Sequence, residues 1–315
     1  MRALEDVLRE RIALLPALQE ALTPALLLQR DAPGGLRAPG RISANGHCRL
    51  VATADGWAAL NLARPDDVEL VPALTNGRAS DWQGIAEAAS SMNCSEFVQR
   101  AVELQLPVAA LGEAMSFVLA EGKSAVPGRV VDLSALWAGP LCAGLLARAG
   151  ADVVRIESAG RPDPTPLASP QLDRFLNGSK SRITLDLTVA ECRARLRDEI
   201  LAADVIVTSG RSAGLSRIGL DRDELERARP DLIWAAITAY GWEIDRVGFG
   251  DDCAVAGGLV KPGEPPSFMG DALADPLTGL ESALAVCERV ARGAGGLLDL
   301  PMAGVAAAYR RRIAS

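Results

Sequence analysis

The chain has 315 residues, 49% of them hydrophobic, with 40 acidic against 33 basic side chains and a formal net charge of −7. That length supports a sizeable core and two domains. The acidic balance argues against a nucleic-acid partner, which needs a basic face, although a local cluster of arginines can still hold phosphate. No apolar run nears the ~20 residues of a membrane span. The opening "MRALEDVLRERIALLPALQEAL" mixes acids and bases, unlike a signal peptide, and the six scattered cysteines form no CxxC and have one histidine, His47, to join them. A soluble cytoplasmic protein with reduced thiols and no metal site is expected.

In chain order, residues 1–30 show helical spacing of Leu and Ala, and "DAPGGLRAPGRISANG" (31–46) is a Gly/Pro-rich loop. "CRLVATADGWAALNLA" has the pattern of a hairpin around "ADG". From Asp66 to Glu121 the pattern is helical, interrupted by the short extended piece "QLPVAAL". Residues 1–45 are therefore an N-terminal helix and loop, and 46–123 a small α+β domain. From there the apolar runs "GRVVDLS", "DVVRIE", "SRITLDLT", "DVIVTSG" and "LIWAAITAYG" predict five strands. They alternate with helices at "GPLCAGLLARAGA", "ECRARLRDEILAA" and "DRDELERARP". Such alternation predicts an α/β domain over 124–315, a Rossmann-like parallel sheet with flanking helices. The remainder from 253 reads as helical, with a Pro/Gly-rich loop at 261–273 and a last apolar stretch, "GGLLDLPMAG".

Ligands of such sheets sit beyond the carboxyl ends of the strands, and there "RVGFGDDCAVAGGLV" carries two adjacent acids, Asp251 and Asp252. One reading is a turn and a helix start whose free N–H groups the acids cap. The other is a carboxylate nucleophile that forms a mixed anhydride with an acyl group. Gly257 and Gly258 permit close packing behind it or donate N–H groups to an oxyanion. The junction "DLSALWAGPLCAG" is either a tight strand-to-helix turn or a phosphate-approaching helix start. The loop "FLNGSKSRITLDL" is either solvated or anion-binding through Asn177, Ser179, Lys180 and Arg182. His47 lacks a GxSxG partner and is a poor hydrolase base.

These motifs, in order, resemble family III CoA-transferases, the CaiB/BaiF-like group that includes formyl-CoA transferase and carnitine CoA-transferase. The family's "DLSxxxAGP" and "GADVIKVE" correspond to "DLSALWAGP" (132–140) and "GADVVRIE" (150–157). Its "LNRNKRSxxLDL" corresponds to "LNGSKSRITLDL" (176–187), and its "RPGYD…A.SGL" to "RVGFGDDCAVAGGL" (246–259). "DALADPLTGLESALAV" and "GAGGLLDLPMAGVAAA" are similar to its closing elements. The small domain resembles the family's second domain but precedes the large one, which implies a circularly permuted, shortened arrangement.

The resemblance implies the family fold, with a large CoA-binding domain, and CoA transfer from an acyl-CoA to a carboxylic acid through an aspartyl anhydride and an aspartyl-CoA thioester. It also implies a homodimer and no metal cofactor. It places CoA against Trp137, Ala138, Gly139, Pro140, Arg155, Glu157, Arg161, Asn177, Ser179, Lys180 and Arg182. Counting back from "A.SGL" favours Asp251 as nucleophile; counting forward from "RVGF" implies a one-residue insertion, which leaves Asp252 open. Gly178 and Ser181 stand where the family has arginines, and Arg182 supplies charge one place on.

Three alternatives compete. An α-methylacyl-CoA racemase needs a His before its Asp, where this chain has Phe249-Gly250. A non-catalytic CoA-binding partner subunit would keep the acid as a helix cap. A dinucleotide oxidoreductase lacks its Gly fingerprint.

Overall fold

The computed structural model describes residues 3–32, 34–77, 80–123 and 125–315. Its strands are β1 (Cys48–Ala52), β2 (Trp57–Asn61), β3 (Val108–Ala110), β4 (Arg129–Asp132), β5 (Asp152–Ser158), β6 (Ser181–Leu185), β7 (Val205–Thr208), β8 (Ile233–Thr238), β9 (Val260–Lys261), β10 (Ser267–Phe268) and β11 (Gly296–Pro301). Two compact units emerge, each assembled from three segments. One gathers the described residues of Met1–Pro33, Val118–Trp242 and Pro276–Pro301; the other gathers Gly34–Phe117, Glu243–Asp275 and Met302–Ser315. The sequence pattern instead divides the chain into consecutive stretches, with the Asp pair and the closing helix Met302–Ala314 in the large domain. In the structure both fall in the second unit.

The first unit is built on a six-stranded sheet in the order β11-β8-β7-β4-β5-β6, with every neighbouring pair parallel. Strands such as β7 are buried along their whole length, as expected where helices cover both faces. Val131, Val154, Ile206 and Trp234 lie in the core of this unit. The strand order reverses between β4 and β7, and the carboxyl ends there form the topological switch point where ligands of such sheets bind. The helix Ala138–Arg148 leaves that point, and two glycines set its depth. A Cβ on Gly139 would overlap Ser134, and one on Gly144 would overlap the Leu176 carbonyl.

The apolar stretch near 297 is the sixth strand, β11, paired to β8 in register Leu298↔Ala235. The N-terminal helix Leu4–Ile12 buries Arg11, whose Nε and Nη2 bind Glu281 at 2.7 and 2.5 Å.

The second unit holds the expected hairpin, β1 against β2, with β3 added antiparallel on the other edge of β2. Strand alternation gives this sheet two different faces. Val51, Ala58 and Leu60 pack with Ile85 and Phe97, from the helices Trp82–Ser90 and Cys94–Glu103. Cys48, Leu50 and Ala59 pack with Val255 and Phe268. The helical pattern expected as far as Glu121 stops at Glu103. Beyond β3 the chain turns at Leu111–Gly112, where Gly112 has φ +75°, and continues without helix, its N–H groups bound to helix carbonyls. Gly112 N donates to Val255 O, which it shares with Gly258 N, and Ala114 N to Ala256 O, both carbonyls in the last turn of the Gly250–Ala256 helix. Among the described residues no helix is long and apolar enough to cross a membrane.

Candidate functional site

The Asp pair opens the helix Gly250–Ala256, whose N-cap is Phe249. Asp252, at the third helical position, accepts from Phe249 N at 3.0 and 3.2 Å, which is the carboxylate half of a capping box. It also accepts from Asn61 Nδ2 at 3.0 Å. Asp251 is held separately: its Oδ1 accepts from Ala272 N at 2.9 Å and its Oδ2 from Asn45 Nδ2 at 3.1 Å. The Asn45 amide is itself oriented, because its Oδ1 accepts from Ser43 Oγ at 2.7 Å and from His47 N at 3.0 Å. The two acids thus have different duties: one closes the helix end, and the other is positioned by groups from two loops.

Both carboxylates are buried, Asp251 at 2% exposure and Asp252 at 0%. Burial pushes Asp252 up to about 7; the charge of Asp251 adds to this, and the bonds from Asn61 and Phe249 oppose it. The thiols of Cys48 and Cys253 are also raised well above their ordinary value, first by burial and then by the charges of Asp251 and Asp252 for Cys48 and of Asp252 and Asp275 for Cys253, so both are protonated. Counted from Arg246 without an insertion, Gly250 stands where the family motif has its acid. No side chain fits there, since a Cβ would overlap Asp275 Oδ2 and the Ala272 carbonyl.

The glycines at the far end are packing residues. A Cβ on Gly257 would strike Ala306 and the backbone of Ala307 in the closing helix, and Gly258 has φ +77°. Gly257 N donates to Cys253 O and Gly258 N to Val255 O. An oxyanion donor role for these two N–H groups is therefore corrected: neither points free.

The titration of Asp252 has a stability consequence. An acid whose folded value lies above its unfolded 3.8 makes the folded state the better proton binder, so stability falls as pH rises from about 4 to about 7. At about 1.4 kcal/mol per unit this amounts to a loss on the order of 4 kcal/mol. Asn61 Oδ1 has no hydrogen-bond partner, and a flipped Asn61 amide could accept there from a donor at position 252. Asp252→Asn carries such a donor at every pH. It should abolish the decline and be more stable than the parent at pH 8, as urea unfolding at pH 5.5 and 8 would read.

The residues placed against CoA all lie in the first unit, in three groups. Lys180 Nζ donates to Asp132 Oδ2 at 2.7 Å, Pro140 O at 2.8 Å and Asn177 Oδ1 at 2.7 Å, which engages all three of its donors. Arg155 is buried and bonds Asp132, Glu157 and Asp163 at 3.3, 3.0 and 2.7 Å. Burial raises Asp132, but the charges of Lys180 and Arg155 outweigh it and hold the carboxyl below the usual range. These side chains build the turn rather than present free charge.

Three others lie at the surface. Arg161 and Ser179 are exposed, and Arg182 pairs with Asp173 at 2.9 Å. Trp137, Ala138, Gly139 and Pro140 form the buried helix start at the switch point, and the Trp137 Nε1 donor has no partner. The expected loop around 177 is in part helix, since Asn177 ends Pro170–Asn177.

Sequence reasoning missed Asp132 and Asp163. Asp163 accepts from Arg155, Leu136 N, Thr165 N and Thr165 Oγ1, and so ties the loop after β4 to the one after β5. The Asp-Pro-Thr run was its only local signal. Asn45 and Asn61, which hold the acids, carried none.

Residues 128–312 match the family model described as CoA-transferase family III. The succinyl-CoA–D-citramalate CoA-transferase of Chloroflexus aurantiacus is 30% identical over 194 residues, 55% of this chain and 47% of that protein. The formyl-CoA:oxalate CoA-transferase of Rhodopseudomonas palustris is 30% identical over 176 residues, 50% of this chain and 40% of that one. The chain thus spans about half the length of the curated relatives it matches. Among solved structures, a CAIB/BAIF family protein from Brucella suis superposes with a TM-score of 0.51 at 30% identity, covering 57% of this chain and 53% of that one. The hypothetical protein Rv3272 from Mycobacterium tuberculosis gives 0.54 at 27% identity, covering 61% and 58%.

Proposed function

Since this chain belongs to CoA-transferase family III, we propose that it moves CoA from an acyl-CoA to a carboxylic acid, with Asp251 as the covalent nucleophile. The observation that carries this reading is the division of labour at the helix start. Asp252 is engaged as the cap, while Asp251 is aimed by Asn45 and Ala272. In the proposed sequence, the Asp251 carboxylate attacks the thioester carbonyl and expels CoA thiolate, leaving an aspartyl–acyl anhydride. The thiolate attacks the aspartyl carbonyl of that anhydride, releasing the donor acid and forming an aspartyl-CoA thioester. The acceptor carboxylate then displaces CoA to give a second anhydride, and the thiolate takes the new acyl group and frees Asp251. The CoA-contacting residues are proposed to be those of the 137–140, 155–161 and 177–182 stretches. The acid itself is left at the level of class, because the named relatives act with acids as different as citramalate and oxalate. A second copy of the chain, as a homodimer, a cytoplasmic location and a permuted domain order belong to the same reading.

A second reading, a CoA-binding partner subunit without turnover, is favoured by the near-complete burial of both acids and by Gly250 at the motif's acid position. Intact-protein mass spectrometry after mixing with a panel of acyl-CoAs separates the two. A hydroxylamine-sensitive acyl or CoA adduct mapping to 246–260 on Asp251 is the expected result. CoA binding with no adduct from any donor selects the second reading.

A further inference from the structure

The small sheet carries a pair of cations that the transfer reading does not use. Arg49, on β1, lays its guanidinium over Trp82 with its central carbon 4.5 Å from the ring centroid. Its Nε is buried and has no hydrogen-bond partner. Arg37 comes from the preceding loop and reaches Gly46, its Cζ 3.8 Å from where a Cβ on that glycine would lie. The ionisation of Arg49 is depressed by burial first and by the charge of Arg37 second. Among the described residues no carboxylate forms an ion pair with either. Two neighbouring guanidiniums without a counter-ion are unfavourable alone, and their fixed donor forks match an oxyanion.

Beside them lies a cleft of about 390 Å³ lined by Gly46, His47, Leu62, Val68, Trp82 and Ile85. Among the described residues its one carboxylate, Asp81, accepts from Gly84 N at 2.9 Å as a helix cap.

We infer that this cleft binds a small organic anion, its oxyanion head between Arg37 and Arg49 and its apolar body against Leu62, Val68, Trp82 and Ile85. The apolar walls favour an anion with a hydrophobic body over a bare inorganic one. A carboxylate and a phosphate ester share this chemistry. The site is complete within the second unit and stands whether or not the chain transfers CoA.

His47 makes the test direct, because it is the only imidazole in the chain and its ring protons are a single NMR reporter in the cleft wall. Benzoate, phenyl phosphate, inorganic phosphate and benzyl alcohol are titrated into the full chain. Benzoate or phenyl phosphate should shift the His47 signal saturably, and the tighter of the two names the head group. Inorganic phosphate and benzyl alcohol should bind at least about tenfold more weakly, a 1.4 kcal/mol difference. Arg37→Gln, at an exposed position, should weaken the better anion by about fivefold or more, and Arg37→Gln/Arg49→Gln should remove the shift. The inference is overturned by no saturable shift with either aromatic anion. Equal binding of benzyl alcohol or inorganic phosphate overturns it too, as does a folded Arg37→Gln that titrates like the parent.

Discussion

In Asp251→Asn, CoA transfer should fall by about 10⁴-fold or more while the protein stays folded and still binds CoA. A nucleophile that carries the covalent intermediate has no partial substitute, so its removal costs the whole covalent route. The amide keeps the shape of the carboxylate and can still accept from Ala272 N. It cannot keep the other bond, because its Nδ2 would face the Asn45 Nδ2 donor. Asn45 is not free to flip, since its Oδ1 already serves Ser43 and His47. That lost bond should cost about 1–2 kcal/mol, enough to lower the unfolding midpoint but not to unfold the chain. Asp252→Asn retains a side-chain oxygen for the cap and should transfer CoA within about tenfold of the parent, against the ~10⁴-fold expected for a nucleophile. Single-turnover assays with a labelled acyl-CoA read both variants. Wild-type turnover in Asp251→Asn would exclude Asp251 as the nucleophile, and loss of transfer in Asp252→Asn instead would move the role by one residue.

The sequence carried the parallel sheet clearly because its strands are short apolar runs separated by amphipathic helices, and that pattern survives any arrangement of neighbours. Spacing alone read β11 as no more than a last apolar stretch, because its half-buried face shows no clean alternation and Pro301 ends it. It also led the helical pattern too far past Glu103, because what holds 112–117 out of a helix is the set of bonds from Gly112 N, Ala114 N and Phe117 N to carbonyls of helices distant in the chain. The assignment of the Asp pair to the small sheet's unit was illegible for the same reason. Val255 meets Leu50 and Ala59 only after folding. At the site, the cap was readable from an acid three positions after Phe249, but Asn45 and Asn61 reach the acids across 206 and 191 residues. Arg155 and Lys180 were visible as cations, yet not as structural ones. Asp132 and Arg155 are cross-strand neighbours in register between β4 and β5, and register is a property of the folded sheet.

That register underlies the largest expected loss of stability, in Asp132→Ala. The carboxylate at the end of β4 faces Lys180 Nζ at 2.7 Å and Arg155 at 3.3 Å with all three side chains buried, and it accepts from Ser134 N at 3.0 Å. Arg155 keeps Asp163 and Glu157 if Asp132 is lost. Lys180 keeps only a carbonyl and an amide oxygen, so a full charge stays buried without a counter-charge. Breaking such a pair from one side should cost about 3–5 kcal/mol. Asp132→Ala/Lys180→Met, which removes both charges, should recover most of it, since an apolar replacement of a buried pair is often neutral. The sign with pH follows from the direction of the shift. The carboxyl of Asp132 lies below its ordinary 3.8 in the folded protein, so its contribution is present above that value and is lost as pH falls through the lower folded one. Urea unfolding at neutral pH should therefore separate Asp132→Ala widely from the parent, and the gap should narrow in acid. A difference under about 1 kcal/mol at neutral pH would show that Lys180 loses its proton or moves to water at little cost. The consequence reaches the switch point, because the Ser134 carbonyl binds Arg155 and Leu136 N binds Asp163. The loop proposed to receive CoA is shaped by this charge cluster, so the same substitution should weaken CoA binding even where the protein remains folded.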